Sequence, residues 1–315
     1  MATYNGAAYL AEQLASLAAQ TRLSDELVVC DDGSSDATVA LLESFAASAP
    51  FTVRVEVNTP RLGVNANFEK AARLCSGDIV FLCDQDDVWY PDKLARIEQL
   101  FGDRPETMVI LNDAALVSET LEDSGLTQLG AVRSSGYSDA GFNFGCCSAH
   151  RKAWQDIVFP IPASMDHHDV WINRMAHAVG AAWVTDRTLQ AYRRHGDNVT
   201  QWILSDPAGA NRWRLLRDAG LRDGKPNWRT TLMILDLMLD RLKQRHSKLE
   251  ALLPNADLAE RLRRLELTRN RLDQRVALCS LPRYRRPFSI ARHWLNNGYA
   301  ANAGWKSAVK DLLRP

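Results

Sequence analysis

No stretch of this sequence approaches the ~20 consecutive apolar residues that span a bilayer. The longest candidate, Leu232-Met-Ile-Leu-Asp-Leu-Met-Leu239, is short and interrupted by Asp236. The amino end, Met1-Ala2-Thr3-Tyr4-Asn5-Gly6, has neither the basic region nor the apolar stretch of a signal peptide. None of Cys30, Cys75, Cys83, Cys146, Cys147 and Cys279 forms a CxxC pair. All six are therefore expected to be reduced and mostly structural, in a soluble cytoplasmic protein. No internal repeat or low-complexity linker interrupts the chain. A Gly-rich, Lys/Arg-bearing triphosphate loop near the start is also missing, which disfavours a nucleotidyltransferase. Net charge is absent too, with 38 Lys+Arg against 38 Asp+Glu.

That zero hides a division. Residues 1–100 hold 7 basic and 15 acidic side chains, residues 101–200 hold 8 and 12, and residues 201–315 hold 23 and 11. An acidic two-thirds is joined to a basic third, and the asymmetry is a partner signal. A length of 315 residues suits one large domain or one domain with an appendage. Apolar residues make up 46%, enough for a substantial core.

The first 110 residues alternate between helical and strand periodicity. Tyr9, Leu10, Leu14 and Leu17 recur at helical spacing, and Glu26-Leu-Val-Val-Cys-Asp31 reads as a strand. A helix is expected from about Asp36 to Ala46, with Ser35 or Asp36 as N-cap. Thr52-Val-Arg-Val-Glu-Val57 alternates strictly, a helix follows around 65–74, and Asp78-Ile-Val-Phe-Leu-Cys83 is a second apolar strand. Pro91 marks a helix start, and Met108-Val-Ile-Leu111 a further strand. This order predicts an α/β fold with a mainly parallel sheet covered by helices, whose ligands bind beyond the carboxyl ends of the strands. Another helix is expected near His167 or His168, and from about residue 205 the chain turns helical and basic. The expected boundary is 1–203 for the α/β domain and 204–315 for a helical extension.

Two acidic turns follow apolar strands: Asp31-Asp32-Gly33-Ser34-Ser35-Asp36 and Asp84-Gln85-Asp86-Asp87. Either alone is usually a solvated turn or a helix cap. Two at one sheet edge repel each other unless a cation or hydrogen-bond donors neutralise them. The oxygens of Asp84 and Asp86 suit Mg²⁺ or Mn²⁺ shared with phosphate oxygens, so a metal-bound diphosphate is the expected passenger.

These turns belong to a longer ordered set. Thr3-Tyr4-Asn5-Gly6, Val29-Cys-Asp31-Asp32-Gly33-Ser34-Ser35-Asp36, Gly63-Val-Asn65-Ala-Asn67-Phe68, Gly77-Asp78 and Asp84-Gln-Asp-Asp87-Val-Trp89 appear in sequence. Together they resemble family-2 glycosyltransferases of the Rossmann-like GT-A fold. The form Asp84-Gln-Asp-Asp-Val-Trp89-Tyr-Pro-Asp-Lys93 looks most like rhamnosyltransferase-type members that build O-antigen and other surface polysaccharides. His167-His168-Asp169-Val-Trp171 and Ala191-Tyr192-Arg193-Arg194-His195-Gly-Asp-Asn198 resemble their acceptor-side segments. The resemblance covers about residues 1–200.

It implies an inverting, metal-dependent transfer of a sugar, rhamnose from dTDP-rhamnose at its most specific, onto a saccharide or lipid-linked acceptor. Thr3, Tyr4, Asn5, Asp32, Asn67, Asp84, Arg193 and Arg194 would line the nucleotide-sugar site. Within it Tyr4 would stack on the base and Asp32 accept an imide N–H. Asp86 and Asp84 would hold the metal, which assists the leaving diphosphate. Asp169 would be the general base. His195 is either a further metal ligand or a diphosphate donor, against a plainer role in the turn before Gly196. His168 would orient Asp169 or touch acceptor. Trp89 and Trp171 would wall a sugar or simply pack, while Asp31, Asp36 and Asp87 are expected as turn and cap residues. Asn198-Val-Thr200 matches a glycosylation acceptor by chance.

The resemblance also implies a full strand before Thr3, where only Met1-Ala2-Thr3 stands, so the first strand is expected to be largely missing. The alternative it leaves is a catalytically silent GT-A-like binding or scaffold protein with a truncated amino terminus. For the Arg-rich carboxyl third three readings stand. One is a solvated helix face, and another is an appendage pairing with the acidic domain or a second subunit in a homo-oligomer. The third is peripheral contact with the anionic inner face of a membrane, for which Pro287–Leu295 offers apolar residues beside cations. No motif supports nucleic acid as a partner.

Overall fold

The computed structural model describes residues 1–196, 228–296, 298–299 and 304–313. The Asn198-Val-Thr200 pattern and the start of the basic region near 205 lie outside the described residues. By contacts the chain divides into two compact units, Met1–Ile203 with Ser247–Ala256, and Leu204–His246 with Asp257–Pro315.

The first unit is α/β, with two sheets flanked by helices. Strands β1 (Ala2–Thr3), β2 (Glu26–Asp31) and β3 (Thr52–Val57) pair in parallel in the order β1-β2-β3. The second sheet runs β4-β8-β6-β9-β5, from β4 (Ile79–Phe81), β8 (Ser148–Arg151), β6 (Val109–Val117), β9 (Ala182–Arg193) and β5 (Val88–Trp89). β7 (Asp123–Thr127) lies against β6. Parallel pairing governs the first sheet, as strand–helix–strand links require. The second is mixed: β6 and β9 are parallel, while β4–β8, β6–β8, β5–β9 and β6–β7 are antiparallel. The less regular residues after 111 return to the sheet as β8, between β4 and β6, and β9, between β6 and β5, a topology that helix and strand periodicity does not announce.

β1 is two residues long and meets β2 at Cys30 and Asp31. Beyond it a cavity of about 460 Å³ opens between Leu27–Val28 of β2 and Ile79–Phe81 of β4, closed by Leu17, Trp89 and Phe101. The core on either side is continuous. Leu10, Leu14 and Leu17 of α1 (Leu10–Ala18) pack with Leu27, Val29 and Leu42, the last from α2 (Thr38–Ala46). Ile97 and Phe101 of α4 (Lys93–Asp103) pack on Ile110 and Leu189. All nine residues of β6 are buried, so it is the central strand of its sheet.

The remaining helices follow the apolar periodicity closely. α3 (Val64–Leu74) buries Asn67, Phe68, Ala71 and Ala72. After α5 (Gln128–Ser134) and the short α6 (Gln155–Val158) comes α7 (His168–Val179), which stops at Gly180 in the left-handed region with φ 69°, the usual helix terminator. In the second unit α8 (Trp228–Gln244) and α10 (Leu258–Cys279) pack side by side, joined by an Arg269–Asp236 pair at 2.8 Å. α9 (His246–Leu252) lies between them in sequence. α11 (Arg286–Leu295) and α12 (Trp305–Leu313) complete the carboxyl-terminal helices. There Asp311 is fully buried, with Arg275 donating to it at 2.5 and 3.0 Å. All six cysteines are free thiols. No helix among the described residues is long and apolar enough to cross a membrane.

Trp171 lies wholly inside the first unit, and its ring nitrogen donates to the Val158 carbonyl at 2.8 Å. Trp171→Ala is expected to cost about 3–5 kcal/mol, the range for truncating a large buried aromatic. Urea unfolding followed by circular dichroism reads the loss. A cost below about 1 kcal/mol would show that the inner face of α7 is not core.

Candidate functional site

The site is built at the carboxyl ends of β1, β2 and β4, where the two acidic turns emerge. Asp31 folds its own loop: its carboxylate accepts from the Gly33 amide at 3.1 Å, the Ser34 amide at 2.7 Å and the Thr3 hydroxyl at 2.8 Å. Asp36 accepts from the Thr38 amide at 3.0 Å, at the start of α2. Both are turn roles; the N-cap expected at Ser35 or Asp36 falls instead on Ala37, which makes no side-chain cap bond. Asn5, at φ 47°, staples the same loop to β1. Its amide donates to Ser34 at 2.8 Å, and its side-chain oxygen accepts from the Ser35 amide at 2.9 Å.

Asp32 faces the other way and is buried. Its oxygens accept from the Leu62 amide at 2.7 Å, the Gly63 amide at 2.8 Å, Asn58 Nδ2 at 3.0 Å and Arg61 Nε at 3.4 Å. Burial alone would push this carboxyl up. The two amides, Asn58 and Arg61 together outweigh it and hold the carboxyl below its ordinary range. Asn67 stands beneath, accepting from Asn58 at 2.7 Å and donating to the Cys30 carbonyl at 2.8 Å. Lys70 donates to Asn58 at 2.7 Å. Asn67 is thus a strut for Asp32. The Arg61 guanidinium lies 3.6 Å above the Tyr4 ring centroid. One planar cation therefore covers Tyr4 and touches Asp32, on the surface expected for a base.

Gln85 joins the two acidic turns. Its side-chain oxygen accepts from the Tyr4 amide at 2.9 Å, and its nitrogen donates to the Tyr4 carbonyl at 3.1 Å. A Cβ on Gly6 would stand 2.3 Å from the Gln85 oxygen, so only glycine leaves room for this clamp.

The second turn gathers negative charge. Burial and the charges of Asp86, Asp87 and Asp169 push the Asp84 carboxyl well above the ordinary value, against the pull of Lys93. Asp87 is fully buried and is raised to about 7 by burial and by Asp86. It is a core residue rather than the turn residue expected, because Gln190 donates to it at 2.9 Å and the Arg193 amide at 3.4 Å. Lys93 supplies the compensating charge. It is buried, donates to the Cys146 carbonyl at 3.0 Å and to Gln190, and lies 3.8 Å over the Trp89 ring.

Asp86 Oδ2 lies 2.9 Å from His195 Nε2, and the His195 ring sits 4.6 Å from that of Tyr9. Among the described residues the group of three ligand atoms within 4.8 Å is Asp84, Asp87 and Cys146. The expected trio of Asp84, Asp86 and His195 is therefore not assembled as one set. Asp86 is drawn to His195, while Asp84 converges on Asp87. The Cys146 thiol is pushed well up by its contact with Cys147 and by burial, so it sits as a protonated core thiol rather than a thiolate ligand.

Arg193 also departs from expectation. It is buried, and its guanidinium bonds Asp86 O at 2.9 Å, Glu119 O and the Glu12 carboxylate. It fixes the backbone of Asp86 instead of facing solvent, where a phosphate would arrive. Arg194 is exposed. Asp169 opens α7, with Oδ2 accepting from the Gly145 amide at 2.9 Å and Oδ1 from the Val170 amide at 2.7 Å. His168 stacks on Phe68 with ring centroids 4.0 Å apart. Its Nε2 has no hydrogen-bond partner, so it packs beside Asp169 without holding it. Trp89 and Trp171 are buried packing residues.

Sequence reasoning assigned no role to Arg61, Gln85, Asn58, Lys93 or Gln190. Gln85 and Lys93 stood inside the quoted motif, and the signal for Lys93 was a lone cation nine residues after Asp84 in a strongly acidic segment. The others carried no local signal, since each acts through a contact across many residues.

The depressed Asp32 carboxyl has a signed consequence. Its hydrogen bonds stabilise the fold above the unfolded carboxylate value of about 3.9, and that contribution is lost as pH falls through the lower folded value. The stability gap between the parent and Asp32→Asn should be full at neutral pH and close in acid. Urea titrations from pH 7 to pH 3 check this; a gap independent of pH would refute it.

Residues 1–154 match the glycosyl transferase family 2 model. An uncharacterized protein of Mycobacterium tuberculosis is 29% identical over 209 residues, covering 65% of this chain and 60% of that relative. The chain thus spans about 60% of the length of these mycobacterial relatives. The dTDP-rhamnosyl transferase RfbG of Shigella flexneri is 34% identical over 98 residues, 30% of this chain and 34% of that one. The crystal structure of S. aureus TarS 1-349 in complex with UDP-GlcNAc aligns with a TM-score of 0.56 at 16% identity, covering 99% of this chain and 78% of that one. At that identity the likeness speaks for the fold, which is of the GT-A type. Residues 1–154, which carry both acidic turns at one sheet edge, are thus similar to glycosyl transferase family 2.

Proposed function

We propose that the chain is an inverting glycosyltransferase that moves a sugar from a nucleotide-activated donor to a hydroxyl of a saccharide or lipid-linked acceptor. The observation that carries this reading is the geometry of the second turn, which leaves the carboxyl end of β4 beside the first acidic turn and sets Asp86 Oδ2 2.9 Å from His195 Nε2. Such a corner is poised for a cation and a diphosphate. The donors present fit a hard or borderline divalent ion, Mg²⁺ or Mn²⁺. Asp86 and His195 would hold it. When bound, it would supply Lewis-acid stabilisation of charge on the departing nucleoside diphosphate.

The chain's own residues divide the remaining tasks. The base rests on Tyr4 and donates its imide N–H to Asp32 where Arg61 now lies, at the longest of the four contacts on that carboxylate. Thr3, Asn5 and Asn67 act one step back, shaping the loops that present Tyr4 and Asp32. Arg193 fixes Asp86 from behind, and exposed Arg194 is the phosphate partner. Asp169 takes the proton of the acceptor hydroxyl. Its carboxylate is held by the Gly145 and Val170 amides, leaving lone pairs for that proton. A single base and direct displacement give inversion. A relative named as a dTDP-rhamnosyl transferase supports rhamnose as the sugar and dTDP as the carrier.

Donor hydrolysis across nucleotide sugars with Mg²⁺ and Mn²⁺ tests the class, with dTDP-rhamnose expected to be preferred. Asp86→Ala should abolish hydrolysis and transfer with the circular dichroism spectrum unchanged, and near-normal turnover would remove the metal role. Asp169→Asn should bind donor as the parent does yet lose transfer by about 10²–10⁴-fold, the usual worth of a general base. Undiminished transfer would dismiss it as the base.

A further inference from the structure

The carboxyl-terminal helices present a surface that the sugar-transfer reading does not use. In α11 one face is buried through Arg286 and His293, seven residues apart. The opposite face carries Phe288 at 82% exposure and Leu295 at 83%, also seven apart, with Ala291 and Arg292 between them. Tyr284, 77% exposed in the turn just before the helix, continues the same stripe one turn earlier. Two large side chains so fully exposed on one helical face are unusual for a water-facing surface.

The charge around the stripe has one sign. Residues 280–313 hold six Lys+Arg and a single carboxylate, Asp311. Asp311 is buried and taken up by Arg275 and Tyr299. Arg285 and Arg292 border the stripe and are exposed, as is Lys310 of α12, between exposed Val309 and Leu312. Exposed charge in this stretch is therefore wholly positive.

We propose that the Tyr284–Phe288–Leu295 face of α11 docks on an anionic lipid surface. The stripe enters the boundary between headgroups and acyl chains, and Arg285 and Arg292 meet lipid phosphates. Apolar insertion and electrostatic attraction are the two signals that together give stable attachment, where either alone is marginal. Nucleic acid would answer the arginines but offers no apolar layer for Leu295. An acidic protein would have to supply both features in one groove, whereas a bilayer presents both everywhere. Docking is independent of sugar transfer, so the two readings stand or fall separately.

Flotation of the full-length chain with vesicles tests this, using phosphatidylcholine alone and phosphatidylcholine with 30% phosphatidylglycerol in 0.1 M salt. Binding is expected only to the anionic vesicles and should weaken at 0.5 M salt. The double variant Phe288→Ser with Leu295→Ser, and separately Arg285→Glu with Arg292→Glu, should each lower the bound-to-free ratio at least tenfold. Both should keep the parent's circular dichroism and thermal midpoint, since neither pair faces the core. Equal binding to both vesicle types, no binding at all, or unchanged binding by the apolar variant would overturn the proposal. So would light scattering that shows a dimer in the parent and a monomer in the Phe288→Ser, Leu295→Ser variant, which would assign the face to a second copy of the chain.

Discussion

Four carboxylates brought to one corner of the sheet are the constraint around which the first unit is arranged. Asp84, Asp86, Asp87 and Asp169 lie near enough for their charges to raise Asp84. In a low-dielectric interior such crowding is unfavourable unless charge of opposite sign is built in. Lys93 is that charge, buried at the start of α4 and held by Gln190, the Cys146 carbonyl and the face of Trp89. Arg193, buried nearby, is paired instead with the Glu12 carboxylate and holds Asp86 only through its backbone carbonyl. The neutralisation is partial, and the remaining repulsion is what a bound cation would relieve. The packing of α4 and β9 is thereby linked to the chemistry of a turn that belongs to neither.

The first acidic turn reaches the opposite state. Backbone amides and Asn58 satisfy Asp32, and the Asn67 and Lys70 side chains stiffen Asn58 in turn. A carboxylate so well provided with donors stays ionised and fixed in place. One turn is thus rigid and satisfied while the other is charged and incomplete. That contrast suits a site whose first half recognises a neutral ring and whose second half receives an anion and its counter-ion.

Much of this was legible in the sequence because it is local. The strand Glu26–Asp31, the helix expected around 65–74 and found at Val64–Leu74, and the turn role of Asp31 follow from periodicity and turn chemistry. What was not legible depends on contacts far apart along the chain. Arg193 reads as a phosphate ligand beside Arg194, yet strand alternation turns it inward toward Asp86 while its neighbour faces out. Asp87 looks like one more acid in a polar turn, and only the arrival of Gln190 from β9 makes it a core residue. Trp89 and Trp171 carry no local mark that separates sugar stacking from packing. The mixed second sheet was hidden for the same reason, since β8 enters through the irregular residues after 111 with no periodic signal.

The Gln85 amide grips both polar groups of the Tyr4 peptide, and Gly6 leaves the space for it to do so. Gln85 sits between Asp84 and Asp86, so the shelf under the ring and the acidic corner share a mechanical joint. On the proposed reading, a ligand that shifts either half of the cleft would bear on the other through this joint. Fragments such as a free nucleoside and a free pyrophosphate would bind with energies that do not sum to that of the intact molecule, and thermodynamic coupling of this kind lets a protein favour a joined ligand over its pieces.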